Sequence, residues 1–272
     1  MIKSEEQQCV EDRFKAKRKR ERIEKAGYFV ASFGILFMVW ELTRAVGLID
    51  PKLFPSIQAV LKACFVGLRD GSLQMHIYAS FMRVLTSFTI GILLAVVFGF
   101  LVGWFRVVRL FLDPVINFFR ALPPIALIPL MIIFFGIGET SKLVVLSYAA
   151  FFPAMVVIYQ ALVGLDPIYI RAAKTLGAGN MEIFRKIILP QLVPHIITAC
   201  RVSLGVCWAT LVAAELIAAQ KGIGAMMVDA QNFFQMAPLV LGILMIGAIS
   251  LVMDAMVRAV ERRATSWQEK MA

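Results

Sequence analysis

An all-helical integral membrane protein is the fold class this sequence predicts, and composition and patterning carry it. Of 272 residues 60% are hydrophobic and 17% charged, against roughly 45–50% and about 25% in soluble domains. The apolar residues gather in long runs divided by short polar stretches, and a run of about 20 crosses the hydrocarbon core as a helix. Six spans follow. No G-x-x-x-x-G-K-[ST] phosphate loop is present, so the chain is not expected to cradle nucleotide phosphates itself, and any ATP-derived energy would come from a partner.

In chain order, residues 1–26 read as a basic tail, with nine Lys and Arg before Ala26. The first span runs from about Gly27 to Leu42. Its charged leader is long, holds several Glu and lacks a small-x-small site, so it reads as a retained anchor, not a cleaved signal. Between Arg44 and Phe81, Ser56 to Leu68 has helical spacing of Ile57, Val60, Leu61, Cys64 and Phe65, as in a helix lying along the membrane surface. The second span covers about Val84 to Phe105. The third opens at Asp113-Pro114, an N-cap followed by proline at the first helical position, and reaches Phe135 with an interruption at Pro123-Pro124. Gly136 to Thr140 reads as a turn. The fourth, fifth and sixth spans cover about Leu143–Leu162, Ile196–Ile217 and Pro238–Val260, and 263–272 is a short tail.

Charge sets the orientation. With the N-terminus inside, 19 of the 28 Lys and Arg fall on inner segments and six on outer ones, while Arg83, Arg120 and Arg201 lie in or beside spans. The positive-inside rule then places both termini in the cytoplasm. The net charge of +10 is accounted for by lipid-facing tails, not by nucleic-acid binding. Cys9, Cys64, Cys200 and Cys207 form no C-x-x-C pair and read as small apolar fillers. His76 and His195 are far apart, so neither a metal site nor a Ser/His/Asp or Cys/His catalytic set is expected.

The segment between spans four and five is the most informative. Asp166 is placed to cap a helix starting at Pro167, Gly177 to end it in a left-handed conformation, Asn180 to cap a second helix and Pro190 to stop it. Ile183, Phe184, Ile187 and Ile188 share one face. Ala172 and Ala173 are small enough for another protein to approach, and Arg171 and Lys174 add charge. Two readings stand at this point: a rigid lever for a partner, and an ordinary helical connection.

This segment resembles the signature loop of permeases of ATP-binding-cassette (ABC) importers. The pattern is Glu-Ala-Ala, three residues, Gly, nine residues, an aliphatic residue, one residue, Leu-Pro. Ala172, Ala173, Gly177, Ile187, Leu189 and Pro190 fall in register; Arg171 stands where the pattern has Glu. Arg120-Ala-Leu-Pro-Pro, Phe135-Gly-Ile-Gly-Glu-Thr-Ser-Lys142 and Trp208-Ala-Thr-Leu-Val-Ala-Ala-Glu-Leu-Ile-Ala-Ala219 are similar to the taurine, alkanesulfonate and nitrate branch, the taurine permeases most of all. The resemblance implies the type I importer permease fold, with six transmembrane helices and a cytoplasmic coupling helix, in a bacterial cytoplasmic membrane. It implies a homodimer, two cytoplasmic ATPase subunits and an extracytoplasmic substrate-binding protein. ATP and Mg would be used by the ATPase, with no cofactor bound by this chain. Arg171, Ala172, Ala173, Lys174, Gly177, Ile187, Leu189 and Pro190 would form the dock. The implied cargo is a small organic anion such as taurine or an alkanesulfonate, with nitrate, bicarbonate or cyanate as alternatives.

Charged residues inside spans usually face protein or water. Arg120, Arg201, Glu215 and Asp254 are of that kind. Arg120, Pro123, Pro124, Trp208, Thr210 and Glu215 are the candidates for the translocation path. For Arg120 the alternative is pairing with Asp113 near the inner face; for Glu215 it is a helix contact or an outer gate. Asp254 is expected to pair with a neighbouring cation. Ser87, Thr86 and Thr89 either wet the cavity or bond their own helix. An ion-coupled secondary transporter would show inverted repeats with paired broken helices. One broken span and no repeat are found. A non-transporting scaffold would not need the dock.

Overall fold

The computed structural model describes residues 31–47, 53–218 and 220–265, with Arg20, Glu24, Gly27, Tyr28 and Asp50. Most of the expected tails lie outside these residues. The described residues fall into two compact units, one up to Val60 and one from Leu61. In the first, α1 is helical over 31–45. Trp40 stacks near Phe54 at 5.0 Å between ring centroids and donates its indole N–H to the Pro55 carbonyl at 3.1 Å. The Ile57 N–H donates to Glu41 Oε1 at 3.2 Å, and the Ser56 hydroxyl accepts from Ala59 N–H, capping α2 (Ile57–Arg69). The helix expected over Ser56–Leu68 thus forms within a residue of its expected limits.

The second unit centres on three long helices: α3 (Ser72–Trp104), α6 (Glu139–Val163) and α9 (Leu189–Ala218). Gly71, at φ +80°, turns the chain into α3. Asp70 Oδ1 accepts from the Ser72 hydroxyl at 2.7 Å and its N–H at 3.0 Å, and these bonds hold the Asp70 carboxyl below its usual pKa. At 33 residues α3 is about 50 Å long, and it begins well before the expected start at Val84. Gln74, His76 and Arg83 break the apolar run, but the protein interior satisfies Arg83, so the helix continues through it.

Small residues let α3 and α6 pack closely. A Cβ on Gly91 would lie 2.5 Å from Ala150 Cβ and 2.7 Å from the Ser147 carbonyl oxygen; one on Gly99 would meet Ile158 at 2.9 Å, and one on Gly103 would meet Leu162 at 2.7 Å. These contacts keep a constant separation in sequence, so the two helices run parallel. The chain between them must therefore return along their length. It does so as α4 (Arg106–Ala121), a 3-10 turn (Pro124–Leu127) and α5 (Ile128–Phe135), with an 87° bend. Leu122 and Pro123 are extended, as a residue before proline prefers. The break is where the sequence places it, but the span's start is not. α4 begins at Arg106, Pro114 lies inside it, and Asp113 caps nothing; Asp113 accepts from Asn117 Nδ2 at 3.1 Å and from the Tyr159 hydroxyl at 3.0 Å. The expected turn at 136–140 is also shorter. Gly136 (φ +78°) to Gly138 turn the chain, and Glu139 and Thr140 already belong to α6, where an acidic first turn suits the helix dipole.

α9 runs antiparallel to both, with its buried face against Val84, Leu146 and Ala150 through Leu204, Cys207, Trp208 and Leu211. α10 (Ile223–Asn232) and α11 (Met236–Ala264) follow. α10 falls in a stretch left as a connection between spans. Arg201 on α9 pairs with Asp254 at 3.1 Å and Glu261 at 3.5 Å, and Arg258 pairs with Asp254 at 2.9 Å, so Asp254 has the cationic neighbours expected of it. Among the described residues, four helical segments are long and apolar enough to cross a membrane, or five with the bent pair. The first of six expected spans, 27–42, lies partly outside those residues.

Candidate functional site

The two ends of the α3–α6–α9 bundle carry different chemistry. At the end where α3 and α6 begin, buried charge is concentrated. Arg83 on α3 points its guanidinium between two carboxylates. Nε and Nη2 donate to Glu139 Oε2 and Oε1 at 2.5 and 2.7 Å, and Nη1 donates to Glu215 Oε1 at 2.6 Å and to the Lys221 carbonyl at 2.6 Å. Lys142 Nζ reaches Glu139 Oε1 at 3.1 Å, one turn along α6. Glu215 is the most enclosed member, 1% exposed. Its carboxylate also accepts from the Ser80 hydroxyl at 2.7 Å and the Gly224 N–H at 2.8 Å.

The α10 N-terminus closes the knot. Its free N–H groups need acceptors. His76 Nδ1 takes the Gly222 N–H at 3.1 Å, Ser80 Oγ the Ile223 N–H at 2.8 Å, and Glu215 the Gly224 N–H. Only glycine fits here. Gly222 sits at φ +136°, and a Cβ on it would lie 2.5 Å from the Glu215 carboxylate and 2.6 Å from Arg83 Nη1; a Cβ on Gly224 would meet Glu215 Cβ at 2.6 Å. Ion pairing and hydrogen bonds to every member make such burial tolerable.

The proposed path residues divide. Glu215 joins the knot as a helix contact, one of the readings the sequence allowed. Thr210 and Trp208 are 2% and 3% exposed; Trp208 packs in the α9 core, and its indole N–H has no partner among the described residues. Ile128, just beyond Pro123 and Pro124, packs with Val145 and Ala214, next to Glu215. Arg120 is exposed on the last turn of α4, and Asp113 is bound elsewhere. The Phe119 carbonyl, which accepts the Leu122 N–H at 3.2 Å where α4 ends, also takes the Tyr148 hydroxyl. Thr89 donates to the Leu85 carbonyl of its own helix at 2.7 Å, while Ser87 is buried without a partner among the described residues. Sequence reasoning missed Arg83, Ser80, Glu139, Lys142, Gly222 and Gly224. The available signal was a lone cation near one span and a lone carboxylate in another, which together make a pair.

At the opposite end, α7 (Pro167–Thr175) and α8 (Asn180–Ile183) form a helical hairpin. Asp166 Oδ1 accepts from Ile168 N–H at 2.9 Å, as capping requires. Gly177 sits at φ +81°, its N–H donates to the Lys174 carbonyl at 3.0 Å and the Ala178 N–H donates to Ala173 at 3.0 Å: a complete Schellman end. Two expectations fail. Gly179, not Asn180, is the residue before α8, and Pro190 does not stop the helix. A π turn (Phe184–Ile188) widens the backbone, with Leu189 N–H donating to the Phe184 carbonyl, and α9 continues through Pro190. The wide turn makes room for a ring that clashes with a regular helical carbonyl.

Of the docking candidates, Arg171, Ala172, Lys174, Gly177 and Leu189 are exposed, and Ile187 and Pro190 are half-buried. Ala173 turns inward against Leu162, Ile183 and Ile188. Ala173, Leu176, Gly177, Ala178, Glu182, Ile183, Lys186 and Ile187 line a groove of about 340 Å³. Leu176, 87% exposed, and Met181, 70%, stand out from the hairpin.

Comparison with known proteins adds four findings. Residues 78–266 match the family described as binding-protein-dependent transport system inner membrane component. The chain is 39% identical over 249 residues, 92% of its length and 98% of the relative's, to the probable ABC transporter permease protein of Brucella abortus. It is 36% identical over 243 residues, 88% of each chain, to the taurine transport system permease protein TauC of Escherichia coli. In fold it is similar to a chain in the crystal structure of an amino acid ABC transporter with histidines, at TM-score 0.61 and 16% identity over 74% of this chain and 97% of that one.

Proposed function

Because this chain belongs to the family of binding-protein-dependent transport system inner membrane components, in the branch of taurine, sulfonate and nitrate ABC-importer permeases, we propose that it forms the translocation path for a small sulfonate-like anion, with taurine as the leading candidate. The 36% identity to a taurine permease across nearly the whole chain carries this reading. The relatives are transport proteins, so the chain's own role is conduction and coupling, with ATP and Mg consumed by a separate ATPase.

The α7–α8 hairpin is the proposed dock. The Asp166 cap at one end of α7 and the Schellman turn at the other hold a short helix rigidly, and its groove is open. A rigid projecting helix transmits displacement that a flexible loop would absorb. The inward packing of Ala173 couples the hairpin to α6 through Leu162 and to α9 through Leu192. Movement forced on the hairpin would thus be handed to two long helices at once. In this reading two copies of the chain form the path, both termini are cytoplasmic, and a binding protein delivers cargo at the charged end.

Reconstitution into vesicles with a candidate ATPase and binding protein tests the proposal, with taurine uptake measured with and without ATP. ATP-dependent uptake is expected. Uptake on an ion gradient with no ATPase would sink the reading. Ala172→Trp tests the dock itself, because the bulky ring stands on an exposed face: ATPase association and transport should both fail while the bundle remains folded.

A further inference from the structure

Resting on the reading that the cargo is a small oxyanion, we propose that Arg83 and Lys142 form an anion-exchange site that Glu139 occupies in the state seen here, and that a sulfonate-class oxyanion takes over by displacing it. The asymmetry of burial is the first argument. The side chains of Arg83 and Lys142 are 7% and 5% exposed, whereas that of Glu139 is 57% exposed. The two cations are thus the enclosed partners and the carboxylate is the solvent-facing one. The carboxylate sits where an incoming anion would meet the cations.

Bonding geometry is the second argument. Arg83 divides its donors between two carboxylates. Nη1 serves the Lys221 carbonyl and Glu215, and Glu215 is held in turn by Ser80 and Gly224. Nε and Nη2 form a two-pronged fork on Glu139 alone. Such a fork accepts any group presenting two oxygens at carboxylate spacing, a sulfonate included. Lys142 supplies a third donor to the same seat.

Charge balance is the third. Two cations face two carboxylates, and Glu215 is too enclosed to leave. Withdrawal of Glu139 leaves one buried positive charge in excess, which one monovalent anion restores. Glu139 is also placed to move. It is the first residue of α6, directly after Gly136 at φ +78°, Ile137 and Gly138, and Ile137 is 81% exposed. Its carboxylate can swing outward without disturbing the buried part of the helix.

The test uses the full-length chain in lipid nanodiscs with ethanesulfonate as probe and uncharged ethanesulfonamide as control. In the unmodified protein, carbodiimide labelling of Glu139, mapped by mass spectrometry, should rise several-fold with ethanesulfonate and not with the sulfonamide. Unchanged labelling overturns the proposal without any variant. Calorimetric titration of Glu139→Gln should show ethanesulfonate binding tightened by about tenfold, since the internal competitor is gone, and adding Lys142→Met should remove the gain. Binding no tighter in Glu139→Gln than in the unmodified chain also overturns it. Intact ATP-driven uptake with unchanged labelling retires the exchange site alone. Increased labelling without ATP-driven uptake retires the transport reading and leaves the site standing.

Discussion

At the α10 end of the bundle Arg83, Lys142, Glu139 and Glu215 meet with Ser80, His76 and three backbone N–H groups, and most of the polar atoms are out of water. At the α7–α8 end the charges stand in solvent, Lys186 pairs with the exposed Glu182, and Leu176 and Met181 project outward. One end is closed by specific bonds between distant parts of the chain. The other is shaped by local capping and left open on its outer face. Desolvated pairs are costly to break and exposed ones are not, so substitutions at the two ends should differ in kind. The closed end should govern whether the bundle holds together, and the open end whether it engages a partner.

Glu215→Ala should have the largest effect. It removes one of the two carboxylates that answer the buried Arg83 guanidinium, leaving Glu139 to face both Arg83 and Lys142, and it takes the acceptor from the Gly224 N–H. A loss of about 3–5 kcal/mol is expected for a buried ion pair broken by removing one partner. Thermal unfolding in nanodiscs would show it, and an unfolding midpoint equal to the parent's would dissolve the contrast between the ends. Gly222→Ala comes next. Its Cβ would overlap the Glu215 carboxylate at a positive φ, for about 1–3 kcal/mol, read in the same assay. Gly177→Ala also imposes a side chain on a positive φ, but nothing lies within 4 Å of its Cβ. Its cost is conformational alone, about 1 kcal/mol. It should weaken ATPase association in a pull-down more than it lowers the midpoint; the reverse order would mean that the hairpin serves stability instead. Lys186→Ala is expected to leave the midpoint unchanged, because both partners of its ion pair are solvated.

Legibility followed the same division. Asp166, Pro167 and Gly177 act on neighbours within a few residues, and each behaves as its type predicts. The Pro123-Pro124 break is local too, and it bends the chain where expected. Pro190 failed as a stop because the residues before it relax into a π turn, an option that a rule about single residues does not contain. Asp113 failed as a cap because α4 reaches back to Arg106 and Tyr159, from a different helix, takes part of its bonding capacity. Arg83 and Glu215 are 132 residues apart. Nothing near either one in sequence announces the other, and Glu139 reads as a turn residue and Lys142 as one of the outer cations until α6 places them beside Arg83.

By itself, the sequence determined the membrane as solvent, the helical class, the broken third span and the capped hairpin. These depend on composition and on interactions among near neighbours, which any single chain displays. The family pattern in the hairpin and around Glu215 added the transport reading, and the comparisons place the chain in that family. Tertiary structure alone decided that α3 and α6 run parallel through Gly91, Gly99 and Gly103. It also decided that their starts, the end of α9 and the first turn of α10 converge on one buried ionic knot. The physical reason is that a charge buried in a membrane protein must be answered by a partner in space, and the helix that supplies it is chosen by packing and not by proximity in the chain.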